Sequence, residues 1–168
     1  ERGKDAIKDL PDNIKNNPDA MAESIENNLR KVIIEESPTN PMYYEKMSVL
    51  LDELIKMRKE QTLEYEKYLQ QIIELSGKVK KPSTATEYPI SMDSAAKRSL
   101  FDNLGKNEAL AIDLDRNIRD TKKDGWRDNL IKSKAVRNAI ADTFKMHGKT
   151  DEADVHRIFD LVKNQREY

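Results

Sequence analysis

The stretch from Asn17 to Ser37, NPDAMAESIENNLRKVIIEES, indicates the fold class of this chain. Its apolar side chains recur every three or four positions, which is the spacing that places them on one face of an α-helix. Asn17 suits the cap, Pro18 suits the first turn, and Pro38 disfavours helix in the residue before it. The stretch therefore predicts one amphipathic helix with defined ends. Its predicted inward residues are Met21, Ile25, Leu29, Val32 and Ile33.

Similar apolar stripes occur along most of the remaining chain. A second helix is predicted from Pro41, and a third from near Thr62 with Gly77 just past its end. Four shorter helices are predicted further on, and the charged stretch from Asp120 to Ser133 is expected to be an ordered loop. No segment shows the alternation of a convincing strand, so the predicted fold class is all-α.

The pattern also predicts an organisation in parts. Residues 1–77 carry the longer stripes and are expected to form a long-helix arm. Residues 78–91 are basic and then rich in turn-forming residues, which is typical of a connection. Residues 92–168 are expected to form a compact bundle of shorter helices without a sheet. Because the chain starts at Glu1 without Met, we expect it to be cut from a longer protein.

Composition narrows the classes of function. The chain has 168 residues, 37% hydrophobic and 36% charged, with a formal net charge of -1. Proteins whose main role is to grip phosphates usually carry a positive excess, so broad nucleic-acid binding is disfavoured. There is no cysteine, which excludes disulfides and thiolate metal sites. No apolar run approaches the ~20 residues that a membrane-spanning helix needs.

The segment GKTDEAD, from Gly148 to Asp154, combines fragments of two nucleotide-hydrolysis motifs. A phosphate-binding loop needs an earlier glycine at the position of Thr143 and a preceding buried strand, and both are missing from the sequence pattern. A helix end at Gly148 and a cap at Thr150 with an acidic first turn account for the same residues. No catalytic residue is predicted here.

Other titratable residues give no better site. His147 and His156 flank a predicted helix break and lack carboxylates at metal-ligand spacing, so helix-end or surface positions are expected and no metal is predicted. Asp113 and Asp115 are two residues apart, which points them in different directions on a helix.

The loop with the only tryptophan remains a candidate. It contains Lys122, Lys123, Trp126 and Arg127 around Gly125. Trp126 and Arg127 are suited to stack on a base or ring while the lysines meet phosphates. The structural interpretation, which we favour, is that Trp126 anchors the loop to the helices and is at least half buried.

Several stretches resemble the C-terminal region of the R (motor and nuclease) subunit of type I restriction enzymes. They occur in the expected order along nearly the whole chain, and the last of them looks like the natural close of such a subunit. The stretches are SIENNLRK at 24–31, NPMYYEKMSVLL at 40–51, YEKYL at 65–69, LFDNLG at 100–105, DGWR at 124–127 and VKNQREY at 162–168.

The resemblance implies a helical domain that attaches the motor to the methyltransferase core of M and S subunits. ATP, Mg²⁺ and DNA are then used by the parent enzyme in the cytoplasm of a bacterium or archaeon, and none of the nuclease or helicase motifs falls in this chain. Mixed charge after residue 91 suits the polar rim of such an interface. The residues expected in that rim include Lys97, Arg98, Asp102, Arg116 and Arg119.

Two alternatives stay open. The first is a domain that contacts a nucleotide or DNA through the Trp126 and Arg127 loop, and salt-dependent binding separates it from an assembly domain. The second is an unrelated coiled-coil or regulatory protein, which the broad and interrupted apolar stripes disfavour.

Overall fold

The fold was determined as a computed structural model, and the structure describes residues 17–84 and 88–168. This described part contains seven α-helices and no strand. The all-α fold class is therefore confirmed. The helices and the links between them divide into two compact units, and each is considered by itself.

The first unit comprises residues 17–37 and 44–84 of the described chain. It contains α1 (Pro18–Glu36), most of α2 (Pro41–Lys59) and α3 (Tyr65–Lys80). The Asn17 side chain caps α1 by accepting from the backbone of Asp19 and Ala20, so the predicted start of this helix is confirmed. The buried apolar residues of this unit are Ala22, Ile25, Leu29, Ile33, Tyr44, Met47, Leu51, Leu54, Tyr68, Ile72, Leu75 and Val79.

A cluster of three polar side chains joins the helices of the first unit. Glu26 of α1 is buried and accepts from Nε and Nη2 of Arg58 on α2, at 2.8 and 3.0 Å. It also accepts from the Tyr68 hydroxyl of α3 at 2.9 Å. Because each partner lies on a different helix, the cluster ties all three helices together. We call it the Glu26 cluster.

The second unit comprises residues 38–43 and the described residues from 88 onward. Its helices are α4 (Ala95–Asn103), α5 (Glu108–Thr121), α6 (Leu130–Met146) and α7 (Glu152–Asn164). They share one apolar core. Its buried residues are Met92, Ala96, Leu100, Phe101, Leu104, Leu110, Ala111, Leu114, Ile118, Trp126, Val136, Ile140, Phe144, Val155, Ile158, Leu161, Val162 and Tyr168.

Residues 38–43 belong to the second unit through hydrogen bonds with α4. The Ser99 hydroxyl donates to the Thr39 carbonyl at 2.7 Å. The Asn40 amide donates to Asp102 at 2.7 Å and accepts from Asn103 at 2.9 Å. The apolar pattern alone gave no sign that this proline-rich link packs as part of the second unit.

Two predicted helix boundaries, the end of α3 and the start of α6, are wrong, each for a local reason. Helix α3 starts at Tyr65 and continues past Gly77 to Lys80, because burial of Val79 extends it until Pro82 stops it. Helix α6 starts at Leu130 inside the predicted loop, where the Asn129 side chain caps it.

The expected contrast in helix length does not hold throughout. Helix α6 has 17 residues, whereas α3 in the first unit has 16. The α6 sequence looked shorter because its first two apolar residues face solvent and so lie outside the periodic pattern.

Candidate functional site

The loop that carries Trp126 folds back on itself and places the indole in the core. Gly125 has φ +67°, a conformation that favours glycine. The backbone N–H of Trp126 donates to the Lys123 carbonyl at 3.0 Å. Trp126 is only 2% exposed, and its ring lies 6.2 Å from that of Phe159. Its Nε1 donates to the backbone oxygen of Tyr168 at 3.3 Å. The prediction that Trp126 anchors this loop is therefore confirmed.

The two cationic neighbours of Trp126 bind the same terminal segment. The Arg127 guanidinium donates to the backbone oxygens of Lys163, Gln165 and Tyr168 at 2.8, 2.7 and 3.2 Å. It also lies 4.8 Å from the centre of the Trp126 ring, at cation–π distance. Lys122 Nζ donates to the backbone oxygen of Tyr168 at 3.1 Å. These donors hold residues 163–168, which we call the terminal segment.

The Tyr168 side chain enters a second cluster, on α5. Its hydroxyl donates to Asp115 at 2.7 Å, and Asp115 also accepts from Arg119 Nε at 3.0 Å. The Arg119 guanidinium lies 5.2 Å from the centre of the Tyr168 ring and 3.5 Å from the Glu167 carboxylate. We call these residues the Asp115 cluster. These contacts hold the terminal segment against α5, which is a structural role.

Burial and charge explain the electrostatics of this cluster. Desolvation, followed by the neighbouring Asp115 carboxylate, raises the pKa of the Tyr168 hydroxyl. The hydrogen bond to Asp115 raises the pKa of the Arg119 guanidinium. Tyr168 is thus held as a neutral donor and Arg119 as a cation, which are the forms that bind Asp115.

The terminal segment also caps a helix. The Glu167 carboxylate accepts from the backbone N–H groups of Ala95 and Ala96 at 3.1 and 3.0 Å. An acidic group at this position satisfies free N–H groups and interacts favourably with the positive end of the dipole of α4. The Gln165 amide donates to the Thr39 carbonyl at 3.3 Å. The segment therefore connects α4, α5 and the Trp126 loop within the second unit.

Of the eight candidate contact residues, four converge on the terminal segment: Arg119, Lys122, Trp126 and Arg127. The other four do not join them. Lys97 pairs with Asp93 at 3.0 Å, and Arg98 donates to the Met92 carbonyl at 2.9 Å.

The last two candidates lie on α5 and in the Trp126 loop. Arg116 pairs with Asp113 one helical turn away. Lys123 is exposed and forms no ion pair within the described residues.

The GKTDEAD segment forms a helix-to-helix link. Gly148 ends α6 with φ +70°, as predicted. The cap of α7 is Asp151, whose side chain accepts from the Ala153 N–H at 2.8 Å, so the prediction of Thr150 as the cap is wrong. The reason is that α7 starts one residue later than expected, and aspartate is at least as favourable as threonine at a helix N-cap.

Asp113 and Asp115 point apart on α5, as expected from their spacing. Asp113 contacts His147 Nε2 at 2.9 Å, while Asp115 contacts Arg119 and Tyr168. His147 had no carboxylate partner nearby in sequence, and the fold supplies one from another helix. Within residues 17–84 and 88–168, no three His, Cys, Asp or Glu side chains are grouped so that they could hold a metal.

Sequence reasoning missed the residues that organise this site. Gln165, Glu167 and Tyr168 lie in the terminal segment, and Tyr168 is 53 positions from its partner Asp115. Spacing over such a separation carries no local signal, because helical periodicity reports only neighbours within a few turns. The available local signal was an aromatic residue, Tyr168, directly after the charged residues Arg166 and Glu167.

Two large aliphatic residues remain on the surface beside the site. Leu130 is 90% exposed and Ile131 is 83% exposed, at the first two positions of α6. An amphipathic helix normally turns its large apolar residues toward the core, and these two adjacent residues do not follow that pattern.

Within the described part of the chain, no helix combines the length and hydropathy that crossing a bilayer requires. Comparison of the chain with protein-family models, with curated proteins and with solved structures finds no match.

Proposed function

We propose that this chain is an assembly domain, the C-terminal helical domain of the R subunit of a type I restriction enzyme. In this role it attaches an ATP-dependent DNA translocase and endonuclease to the methyltransferase core of M and S subunits. The sequence support is the resemblance of the stretches at 24–31, 40–51, 65–69, 100–105, 124–127 and 162–168. On this proposal the parent enzyme uses ATP and Mg²⁺ and acts on DNA in a bacterial or archaeal cytoplasm.

The observation that carries the proposal is that the donors of the Trp126 loop bind the chain itself, while two neighbouring aliphatic side chains are exposed. Arg127, Lys122 and Trp126 direct their donors to backbone oxygens of the chain itself. Leu130 and Ile131 remain in solvent instead. A surface with adjacent exposed aliphatic groups beside an internally bonded loop suits contact with another protein, since exposed apolar patches rimmed by polar residues mark protein interaction sites.

The basic residues expected in the rim of that interface already have partners in the structure. Lys97, Arg98, Arg116 and Arg119 all have partners inside the second unit. Charges that are already paired contribute orientation more than affinity, because a new partner has to replace existing contacts.

Truncation of the parent subunit tests the proposal. Removing residues 92–168 takes away most of the second unit, and we expect the shortened subunit to keep its ATPase and nuclease folds while losing assembly with the methyltransferase core. A stable interface of this kind should bury at least ~1,000 Å². A truncated subunit that still co-purified with the core at full stoichiometry would exclude this role.

A second candidate function is contact with a nucleotide or DNA through the basic loop. It is favoured by the five basic and two acidic side chains between residues 122 and 134, a local excess in a chain of net charge -1. This function requires Lys122, Trp126 and Arg127 to give up the terminal segment. Binding of ATP or duplex DNA that weakens with added salt, and that displaces the terminal segment, would favour it over assembly.

A further inference from the structure

The first turn of α6 presents a small apolar surface with no internal partner. Leu130 and Ile131 occupy the first two helical positions and are 90% and 83% exposed. The Asn129 side chain accepts from the backbone of Ile131 and Lys132, so this turn is held in helical geometry while its side chains point to solvent. An ordered, exposed aliphatic pair is a preorganised contact surface.

A net excess of positive charge accompanies this turn, because residues 122–134 carry five basic and two acidic side chains. None of the five basic side chains between residues 122 and 134 forms an ion pair with an Asp or Glu carboxylate of the described chain. Lys122, Arg127 and Lys132 donate to backbone oxygens. Lys123 and Lys134 are exposed and unpaired within the described residues. The surface therefore combines two aliphatic groups with a local cationic rim.

We infer that Leu130, Ile131, Lys123 and Lys134 form a docking surface, the α6 surface, for a protein partner with an apolar pocket edged by carboxylates. This inference rests on the proposed function and names the part of the chain that meets the methyltransferase core. Charge complementarity selects the acidic rim, since neither lysine forms an ion pair with a carboxylate of the described chain. The aliphatic pair selects a protein, because phosphates offer no apolar groups for Leu130 and Ile131.

The decisive variant replaces both aliphatic residues, Leu130→Glu with Ile131→Glu, in the intact chain. Folding should be unaffected, because both side chains are exposed and glutamate is favourable in the first turn of a helix. The probe is the purified methyltransferase core, and binding is followed by titration calorimetry. We expect the dissociation constant to rise by on the order of 100-fold, since two buried aliphatic anchors are lost and two like charges face the acidic rim.

A matched control makes the same chemical change in the first unit. Ile34 and Val49 are more than half exposed on α1 and α2, so Ile34→Glu with Val49→Glu introduces the same number of charges in place of two exposed aliphatic side chains. Its affinity for the core should equal that of the unmodified chain. Circular dichroism of both double variants checks that each keeps its helix content.

The charged part of the α6 surface has its own test. Lys134→Glu should weaken binding about tenfold, mainly through slower association, and should reduce the dependence of the rate on salt. Lys149 is also exposed but lies in the link after α6, and Lys149→Glu should leave association unchanged.

The outcomes separate the inference from the proposed function. If the unmodified chain does not bind the core, the proposed function fails. If the chain binds and the Leu130 and Ile131 double variant binds equally well, the docking surface is elsewhere and the inference is overturned. If that variant keeps core binding but loses salt-dependent binding of duplex DNA, the surface serves nucleic acid and the inference is likewise overturned. Loss of core binding with unchanged circular dichroism supports it.

Discussion

The Glu26 cluster of the first unit and the Asp115 cluster of the second use the same three groups in different settings. In each, a buried carboxylate accepts from an arginine Nε and from a tyrosine hydroxyl. Glu26 draws its partners from two other helices, whereas Asp115 takes Arg119 from its own helix. The Arg58 side chain is 10% exposed and that of Arg119 is 38% exposed. The comparison shows that one bonding pattern can join three helices in one unit and hold the terminal segment against α5 in the other.

The burial of the arginine decides how much each cluster contributes. Both carboxylate side chains are 6% exposed, so the difference lies in the arginines. Removing a buried arginine leaves the carboxylate with neither water nor a counter-ion, whereas water can take the place of an arginine that was partly exposed. We therefore expect the Glu26 cluster to depend strongly on its arginine. The Asp115 cluster should depend more on Tyr168 and on Trp126 beneath it.

The largest expected effect is alkaline unfolding, which bears on both clusters. Desolvation raises the pKa of Tyr68, Tyr88 and Tyr168, with adjacent carboxylates adding to it. Because the folded-state pKa lies above the unfolded value, the stabilisation is fully present below pH ~10 and is lost as the pH rises above it. Desolvation also raises the pKa of Tyr65 in the first unit, but to a smaller extent. Two of the three strongly affected tyrosines, Tyr88 and Tyr168, lie in the second unit, which should therefore unfold first.

Two spectroscopic signals distinguish the units in this titration. Trp126 is the only tryptophan, so its fluorescence reports on the second unit, while circular dichroism reports on all helices. Between pH 9 and 12 the fluorescence change should precede the main loss of helicity. A stability that stays flat up to pH 12 would contradict the burial of these hydroxyls.

The second prediction is that Arg58→Met lowers the free energy of unfolding by about 3–5 kcal/mol, because Glu26 keeps its charge and loses its main partner. The measurement is urea unfolding followed by circular dichroism. Arg30→Met is the matched control in the same unit, since Arg30 pairs with the exposed Asp52 and should contribute less than about 1 kcal/mol. Equal losses in the two variants would remove the distinction based on burial.

How far these clusters were predictable depends on the distance between partners along the chain. The cap at Asn17, the stop before Pro38 and the anchoring role of Trp126 follow from local chemistry, and all three could be predicted. The contact of Tyr168 with Asp115 joins residues 53 apart, so no periodic pattern encodes it. The start of α6 at Leu130 was missed for a related reason, since exposed apolar residues break the pattern that marks a helix.

The third prediction concerns the residue beneath the terminal segment. Trp126→Ala should lower the free energy of unfolding by about 2–4 kcal/mol, since a buried indole and its hydrogen bond to Tyr168 are removed together. Circular dichroism is the appropriate measurement, because the variant has no tryptophan. Leu130→Ala, at an exposed position four residues away, should change stability very little. A Trp126→Ala variant as stable as the parent would revive the stacking interpretation of this loop.

The smallest effect is expected from Arg119→Met, the counterpart of Arg58→Met in the second unit. Arg119 binds Asp115 and lies against the Tyr168 ring, but its side chain is 38% exposed. Water can solvate part of the Asp115 cluster after the change, and Tyr168 still donates its hydroxyl, so the loss should be about 1 kcal/mol or less. Urea unfolding followed by Trp126 fluorescence measures it directly in the second unit. If Arg119→Met lowers the free energy of unfolding as much as Arg58→Met, the exposure of the arginine does not determine how much each cluster contributes. The terminal segment would then depend on Arg119 as strongly as the three helices of the first unit depend on Arg58.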